Sequence, residues 1–243
     1  MAPRVERIAG DQAVPAATQV VVIGGGIIGV GAALALAERG IPVVLCEKGH
    51  VAGEQSSRNW GWCRQQGRDP RELPLIVESL RLWRTMNQRV GAGTGFRQCG
   101  VLYLEPSEAG MAAREGWLEH ARPFQIDSRL ISAEALKPLI PGATAKYAGG
   151  LFTASDGRAE PTLAAPALMS AARAKGAVLL QDCAARGLEL SGGRVSAVVT
   201  EKGRIACQSV ILAGGAWSSL FLRNLGLRLP QLKTRSPVLR TGP

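Results

Sequence analysis

Gln19-Val20-Val21-Val22-Ile23-Gly24-Gly25-Gly26-Ile27-Ile28-Gly29 is the stretch that decides the fold. It opens as a run of β-branched residues, breaks at three consecutive glycines, and continues into the alanine- and leucine-rich segment Ala32–Ala37 before Arg39-Gly40. That order predicts a buried strand, a tight turn and a helix over Ile27–Arg39 with Gly40 as its C-terminal cap. Gly24, Gly26 and Gly29 fill a G-x-G-x-x-G pattern, which suits a sharp turn, a close backbone approach to a pyrophosphate, and tight helix–strand packing. Pro42-Val43-Val44-Leu45-Cys46 reads as a second strand with Glu47 at its carboxyl end. An acid about 20 residues past the last glycine can accept hydrogen bonds from ribose hydroxyls, while the amides at the helix start face the phosphates. Glu47 stands near that spacing. The unit therefore predicts dinucleotide binding. The acid disfavours a 2′-phosphate and hence NADP, and NAD and FAD both remain open.

The flanking composition agrees with one large or two small globular domains. Gln12 to Ala37 carries no charged residue. That is long enough for a membrane span of about 20 residues. The central glycines and the change from β-branched to alanine-rich sequence fit strand, turn and helix better than one continuous helix. With 243 residues, 46% hydrophobic and 20% charged, the chain is neither a disordered tail nor a coiled coil. Glycine is 30 of the 243 residues without a three-residue period, which excludes collagen. The formal charge is +10, and 23 of the 29 basic residues are arginine, a side chain suited to phosphate and carboxylate. Half of that charge lies between Arg58 and Arg97, where eight arginines face Asp69, Glu72 and Glu78. No known nucleic-acid module accompanies it, so nucleic acid is not the expected partner. Five widely spaced cysteines without a C-x-x-C pair argue against a zinc site or a disulfide framework and for a reducing cytoplasm. Residues 1–18 lack the apolar core of a signal peptide and read as a short disordered tail.

Beyond Glu47 the chain does not read as another crossover helix. Gly53 to Arg64 (GEQSSRNWGWCR) is a polar loop rich in small donors, as expected where backbone runs along an extended cofactor. Ser56 and Ser57 lack an accompanying histidine–acid pair, so hydrogen bonds to a cofactor suit them better than a nucleophilic role. Trp60 and Trp62 read as packing residues, and Arg71, Arg81, Arg84 and Arg89 as a solvated helix face.

At this point the sequence resembles the D-amino-acid oxidase superfamily of FAD-dependent amine and amino-acid oxidoreductases, which includes glycine oxidase, sarcosine oxidase, D-amino-acid dehydrogenase and γ-glutamylputrescine oxidase. Four stretches carry the resemblance: Val20–Glu47 with Lys48, Ser56–Gly61, Thr153–Pro161 (TASDGRAEP), and Ser209–Ser218 (SVILAGGAWS). The resemblance implies an α/β fold, with a Rossmann-like FAD-binding domain and a partial α+β substrate domain on a mostly antiparallel sheet. It assigns 19–92 and 153–225 to the discontinuous FAD domain, and 93–152 and 226–243 to the substrate domain.

By position, the resemblance implies that Gly24, Gly25, Gly26, Ile28, Gly29, Glu47 and Lys48 hold the ADP half. Ser56, Ser57, Arg58, Asn59 and Gly61 then run along the pyrophosphate and flavin, Ala185 offers its backbone to the adenine, and Ala213, Gly214 and Trp217 border the pyrophosphate and ribityl chain. His50 and His120 match no covalent flavin attachment, so non-covalent FAD is expected, with no metal. The implied reaction is oxidation of the C–N bond of a small amine or amino acid by hydride transfer, with oxygen or an electron carrier as acceptor. Arg64 is the candidate for substrate contact.

Elsewhere, Phe96–Leu104 reads as a strand, Ser107–Arg122 as a helix, and Glu160–Gly176 as a helix bent at Pro166. A three-stranded meander is expected over Leu188–Cys207, and a long substrate-domain strand over Leu229–Thr241. Family members continue beyond this point. The alternative reading is therefore an incomplete homologue, or a cofactor-binding subunit whose partner supplies the missing half. An NAD-linked dehydrogenase is a third reading.

Overall fold

The computed structural model describes residues 3–234 and Pro237. Along the chain come β1 (Val20–Ile23), α1 (Ile27–Ala37), β2 (Val43–Cys46), β3 (Trp62–Cys63), α2 (Leu73–Arg84) and α3 (Met86–Val90). Next are β4 (Arg97–Gln98), β5 (Val101–Glu105), α4 (Glu108–Ala121), β6 (Ser128–Ser132), α5 (Ala133–Leu136), β7 (Gly149–Thr153) and β8 (Gly157–Arg158). Then follow α6 (Ala164–Ala174), β9 (Val178–Leu180), β10 (Ala185–Ser191), β11 (Arg194–Thr200), β12 (Gly203–Ala206), β13 (Ser209–Leu212) and α7 (Ser218–Arg223). Contacts divide the chain into two units: Met1–Trp60, Val90–Thr94 and Glu160–Pro243 form the first, and Gly61–Arg89 and Gly95–Ala159 the second.

The first unit is built on a parallel sheet of order β13-β1-β2-β9. Its strands are nearly all apolar because both faces are covered. Helices α1 and α6 pack together on one side. On the other, Val21, Ile23, Val44, Cys46 and Leu180 share a buried cluster with Val198 and Ile205 of the antiparallel meander β10-β11-β12. The β10–β11 hairpin turns at Gly192 and Gly193, whose φ angles are 56° and 75°. This is the left-handed pair that a two-residue hairpin loop demands.

The second unit holds the antiparallel sheet β5-β7-β6, packed by α4, and the small sheet β3-β8-β4. Ser107 caps α4, its hydroxyl accepting from the Gly110 amide at 3.2 Å, which satisfies one of the free donors of the first turn.

Several expectations are corrected. Residues 3–18 are not a loose tail: Val5 is buried, Asp11 pairs with Arg173 at 2.6 Å, and Ala206 bonds to both Ala16 and Thr18. The expected strand over 96–104 is split at Gly100, where φ is 73° and the amide turns to the Asp156 carbonyl. Pro166 is the third residue of α6. It lies inside the first turn, where no intrahelical partner awaits an amide, so the missing N–H costs the helix no hydrogen bond. The compact units also divide differently from the expected domains. The first break falls after Trp60 rather than at residue 92, and 153–159 group with the second unit. Residues 226–234 pack on the first unit, where Leu227 bonds to Leu222 and Gln231 to Gly215, instead of entering a substrate sheet. No strand forms over 229–234, and most of the remainder of that expected strand lies outside the described residues.

Candidate cofactor site

In the parallel sheet β1 is flanked by β2 on one side and, on the other, by β13, the last strand in chain order among the described residues. Chain order reverses there, and such a switch point leaves a crevice at the carboxyl ends of the strands. The turn 24–26 leaves β1 at this point. Gly24 has φ +114°, and a Cβ on it would stand 2.4 Å from the Ala213 carbonyl oxygen at the end of β13. At Gly29 a Cβ would come within 1.8 Å of the Gly24 carbonyl, so α1 lies against its own turn only because hydrogen replaces a side chain. Ala213 is held in turn by its amide, which donates to the Ile23 carbonyl at 2.8 Å.

Glu47 leaves β2 into the same crevice. The residue is 8% exposed, and its carboxylate accepts from the Gly25 amide at 2.7 Å and the Gly49 amide at 2.9 Å. A buried carboxylate needs such donors. Its remaining lone pairs can accept from hydroxyls.

Gly26 has no side chain with which to cap α1. Ser56 does so from the following loop, its Oγ accepting from the Ile27 amide at 2.8 Å. Because that oxygen is the acceptor, the hydroxyl proton remains available to an anion, and the helix end and the hydroxyl act together as a donor pair. Next to it Ile28 is 72% exposed at the start of an otherwise well-covered helix.

Lys48 and Arg58 add positive charge. Glu54 joins them, 2.5 Å from Lys48 Nζ and 3.0 Å from Arg58 Nη1. Lys48 also lies 4.3 Å from the centre of the Trp217 ring, a cation–π contact. Ser57 and Asn59 serve the loop itself: Ser57 Oγ donates to the Glu54 carbonyl, and Asn59 Nδ2 to the carbonyls of Gln55 and Ser56. Ala185 begins β10, just after the Cys183 amide that donates to the Glu47 carbonyl. Gly214 caps the short turn that carries Trp217. The structure thus brings together Gly24, Gly25, Gly26, Glu47, Lys48, Ser56, Ala213, Gly214 and Trp217. It uses Ser57 and Asn59 as loop braces. Sequence reasoning missed Glu54, for which the four-residue spacing to Arg58 was the available signal.

Gly61 and Arg64 belong to the second unit. Gly61, at φ 73°, accepts from the Ala159 amide. The Arg64 guanidinium lies 5.3 Å from the Trp62 ring centre and 5.5 Å from that of Tyr103, and donates to the Gln66 carbonyl. Burial pushes its pKa below the ordinary arginine value, and no carboxylate forms an ion pair with it among the described residues. Close by, Asp156 is fully buried and accepts from the amides of Gln65 and Gln66 at 2.8 and 3.0 Å. Trp60 and Trp62 are 57% and 43% exposed, not packed in a core as the sequence predicts. Among the described residues no cluster of His, Cys, Asp and Glu could hold a metal ion.

The donors fit an adenine dinucleotide. A glycine turn that a Cβ would fill, a helix N-terminus with an accompanying hydroxyl, and a buried acid on the second strand define a dinucleotide-binding protein of the doubly wound class. The chain belongs to the FAD-dependent oxidoreductase family known as DAO, whose pattern matches residues 19–243, and FAD is that family's cofactor. Among solved structures it is similar to the L-amino acid deaminase of Proteus myxofaciens (37% identity, TM-score 0.88, covering 94% of this chain and 52% of that one). Among curated proteins it is similar to the glycine oxidase of Pseudomonas putida, 32% identical over 87% of this chain and 59% of that protein. It is also similar to the sarcosine oxidase subunit beta of Rhizobium meliloti, 29% identical over 87% of this chain and 52% of that one. The chain spans about half the length of these relatives.

Proposed function

We propose that this chain holds FAD in a protein that oxidises the C–N bond of an amino acid or related amine. The observation that carries this reading is the buried Glu47 carboxylate bonded to the Gly25 amide, at the switch point of a parallel sheet. Gly24, Gly26 and Ser56 with the start of α1 are the residues that would receive the pyrophosphate, and Glu47 the ribose. Lys48 and Arg58, held by Glu54, set the local charge. When bound, FAD supplies a hydride acceptor for the carbon bearing the amine, and that chemistry belongs to the cofactor. The protein's task is to bind, orient and exclude water. Arg64, half-buried between aromatic rings with no carboxylate partner among the described residues, is the candidate to bind a substrate carboxylate. The names of the relatives, covering L-amino acids, glycine and sarcosine, support a substrate bearing both amine and carboxylate.

The test is titration of purified protein with FAD, followed by anaerobic addition of L- and D-amino acids, glycine, sarcosine and polyamine conjugates. Quenching of flavin fluorescence and then bleaching of the flavin band by at least one of them is the expected result. Absence of FAD binding rejects the reading. Arg64→Met is expected to raise KM for a carboxylate-bearing substrate by roughly tenfold or more, as loss of a charge-assisted hydrogen bond would.

A second reading is favoured by one observation: the chain spans about half of each relative, and one relative is itself a subunit. On that reading the chain binds FAD but turns over only with a partner polypeptide. FAD bound without bleaching by any compound of the panel would select it.

A further inference from the structure

Residues 3–18 form a strap tied to the first unit at points far apart in sequence. The Glu6 amide donates to the Thr162 carbonyl at 3.2 Å, and the Asp11 amide to the Leu179 carbonyl at 2.7 Å. The Asp11 carboxylate accepts from Arg173 at 2.6 Å and from the Leu179 amide at 2.8 Å. Between these points the strap meets Gln181. Gln181 Nε2 donates to the Ile8 carbonyl at 3.0 Å, while its Oε1 accepts from the Val51 amide at 3.0 Å. An amide side chain used at both ends has its orientation fixed, since only the oxygen can serve Val51 and only the nitrogen Ile8.

Val51 sits in the loop that follows Glu47. Val51 and Ala52 are 1% and 2% exposed, and Ala52 takes a left-handed φ of 57°. A non-glycine residue adopts that conformation only when its surroundings hold it there. The Ala52 amide donates to the Gly25 carbonyl at 2.9 Å, the Gly49 amide to the Glu47 carboxylate, and the Asp182 amide to the Gly49 carbonyl at 2.8 Å. Residues 49–52 thus close a ring over Glu47 and Gly25, and Gln181 fastens that ring to the strap.

We propose that Gln181 is a positioning residue for the adenosine end of the cofactor site, and that the N-terminal strap belongs to that site by acting through it. The proposal rests on the reading of Glu47 as the ribose acceptor. Because the strap touches the loop rather than the bound group, its loss is expected to be felt as weaker nucleotide binding and not only as a less stable fold.

The experiment measures ADP affinity by calorimetry, and the melting midpoint without ligand, for the full chain, for Gln181→Leu, for deletion of residues 1–12, and for the two combined. Each single change is expected to weaken ADP roughly five- to tenfold, the scale of one buried hydrogen bond. The combination should weaken it no further than the stronger single change, because both remove one relay. Asp11→Ala, at a partly exposed position in the middle of the strap, is the second variant if the deletion does not fold. It should speed amide exchange at Val51 and Ala52 and weaken ADP in the same direction. ADP affinity within twofold of the full chain, with only the melting midpoint lowered, would assign a purely structural role and overturn the proposal, as would additive losses. A full chain that binds neither ADP nor FAD removes the reading of the site itself.

Discussion

Glu47 concentrates the site in one side chain. It accepts from the buried Gly25 amide and the partly buried Gly49 amide and keeps further lone pairs with which to accept. Glu47→Ala is expected to weaken FAD binding by about tenfold or more and to cost about 1–3 kcal/mol of stability, because the Gly25 and Gly49 amides lose their acceptor. Fluorescence titration and a denaturant melt on the same sample check both, and unchanged affinity rejects the ribose role. The glycines at this site were legible in the sequence because their roles are local: pattern and spacing alone place Gly24, Gly26, Gly29 and Glu47. Gln181 was not, because a glutamine that bonds residues 8 and 51 leaves no periodic mark.

At the scale of elements, the strand–turn–helix–strand unit and the meander followed from hydropathy and glycine placement, whereas the N-terminal segment did not. Its contacts are single bonds to residues more than a hundred positions away, and its own sequence has neither a helix nor a strand period. Asp11 is the one part whose behaviour has a pH sign. The Arg173 guanidinium, against the opposing effect of partial burial, holds the Asp11 carboxyl below its ordinary value, with help from the Leu179 amide. A depressed acid contributes stability that is present above the unfolded value of about 3.9 and is lost as pH falls through the lower folded value. The strap is therefore expected to loosen first in acid, below about pH 4. Amide exchange at Asp11 and Leu179 measures this, and Asp11→Asn should remove the pH dependence. Pro166 is the converse case: its residue type predicts a lost helix hydrogen bond, and its place in the first turn of α6 removes that cost.

Across the whole molecule, all five cysteines are free, yet their environments differ sharply. Burial, reinforced by Cys183, pushes the Cys46 thiol up to about 12, and burial does the same to Cys63. Cys183 and Cys207 are also buried, which leaves Cys99 exposed. Since the thiolate is the reacting species, an aromatic disulfide reagent under mildly alkaline conditions is expected to find one fast thiol in the native chain and five in denaturant. A second fast thiol would point to the half-buried Cys63, and a third would show that the buried cluster of Cys46, Cys183 and Cys207 opens readily. No helix among the described residues is long and apolar enough to cross a membrane.

The outer side of β12 is met at Ala206 by residues 16–18, through bonds of 3.0 and 2.9 Å and a parallel bridge from Ala17. An uncovered strand edge is a template for pairing with another chain. The family match begins at residue 19, so an expression boundary drawn from it would strip this cover and present β12 to its neighbours in solution. Self-association of such a shortened protein would then report a bared sheet margin rather than any natural assembly.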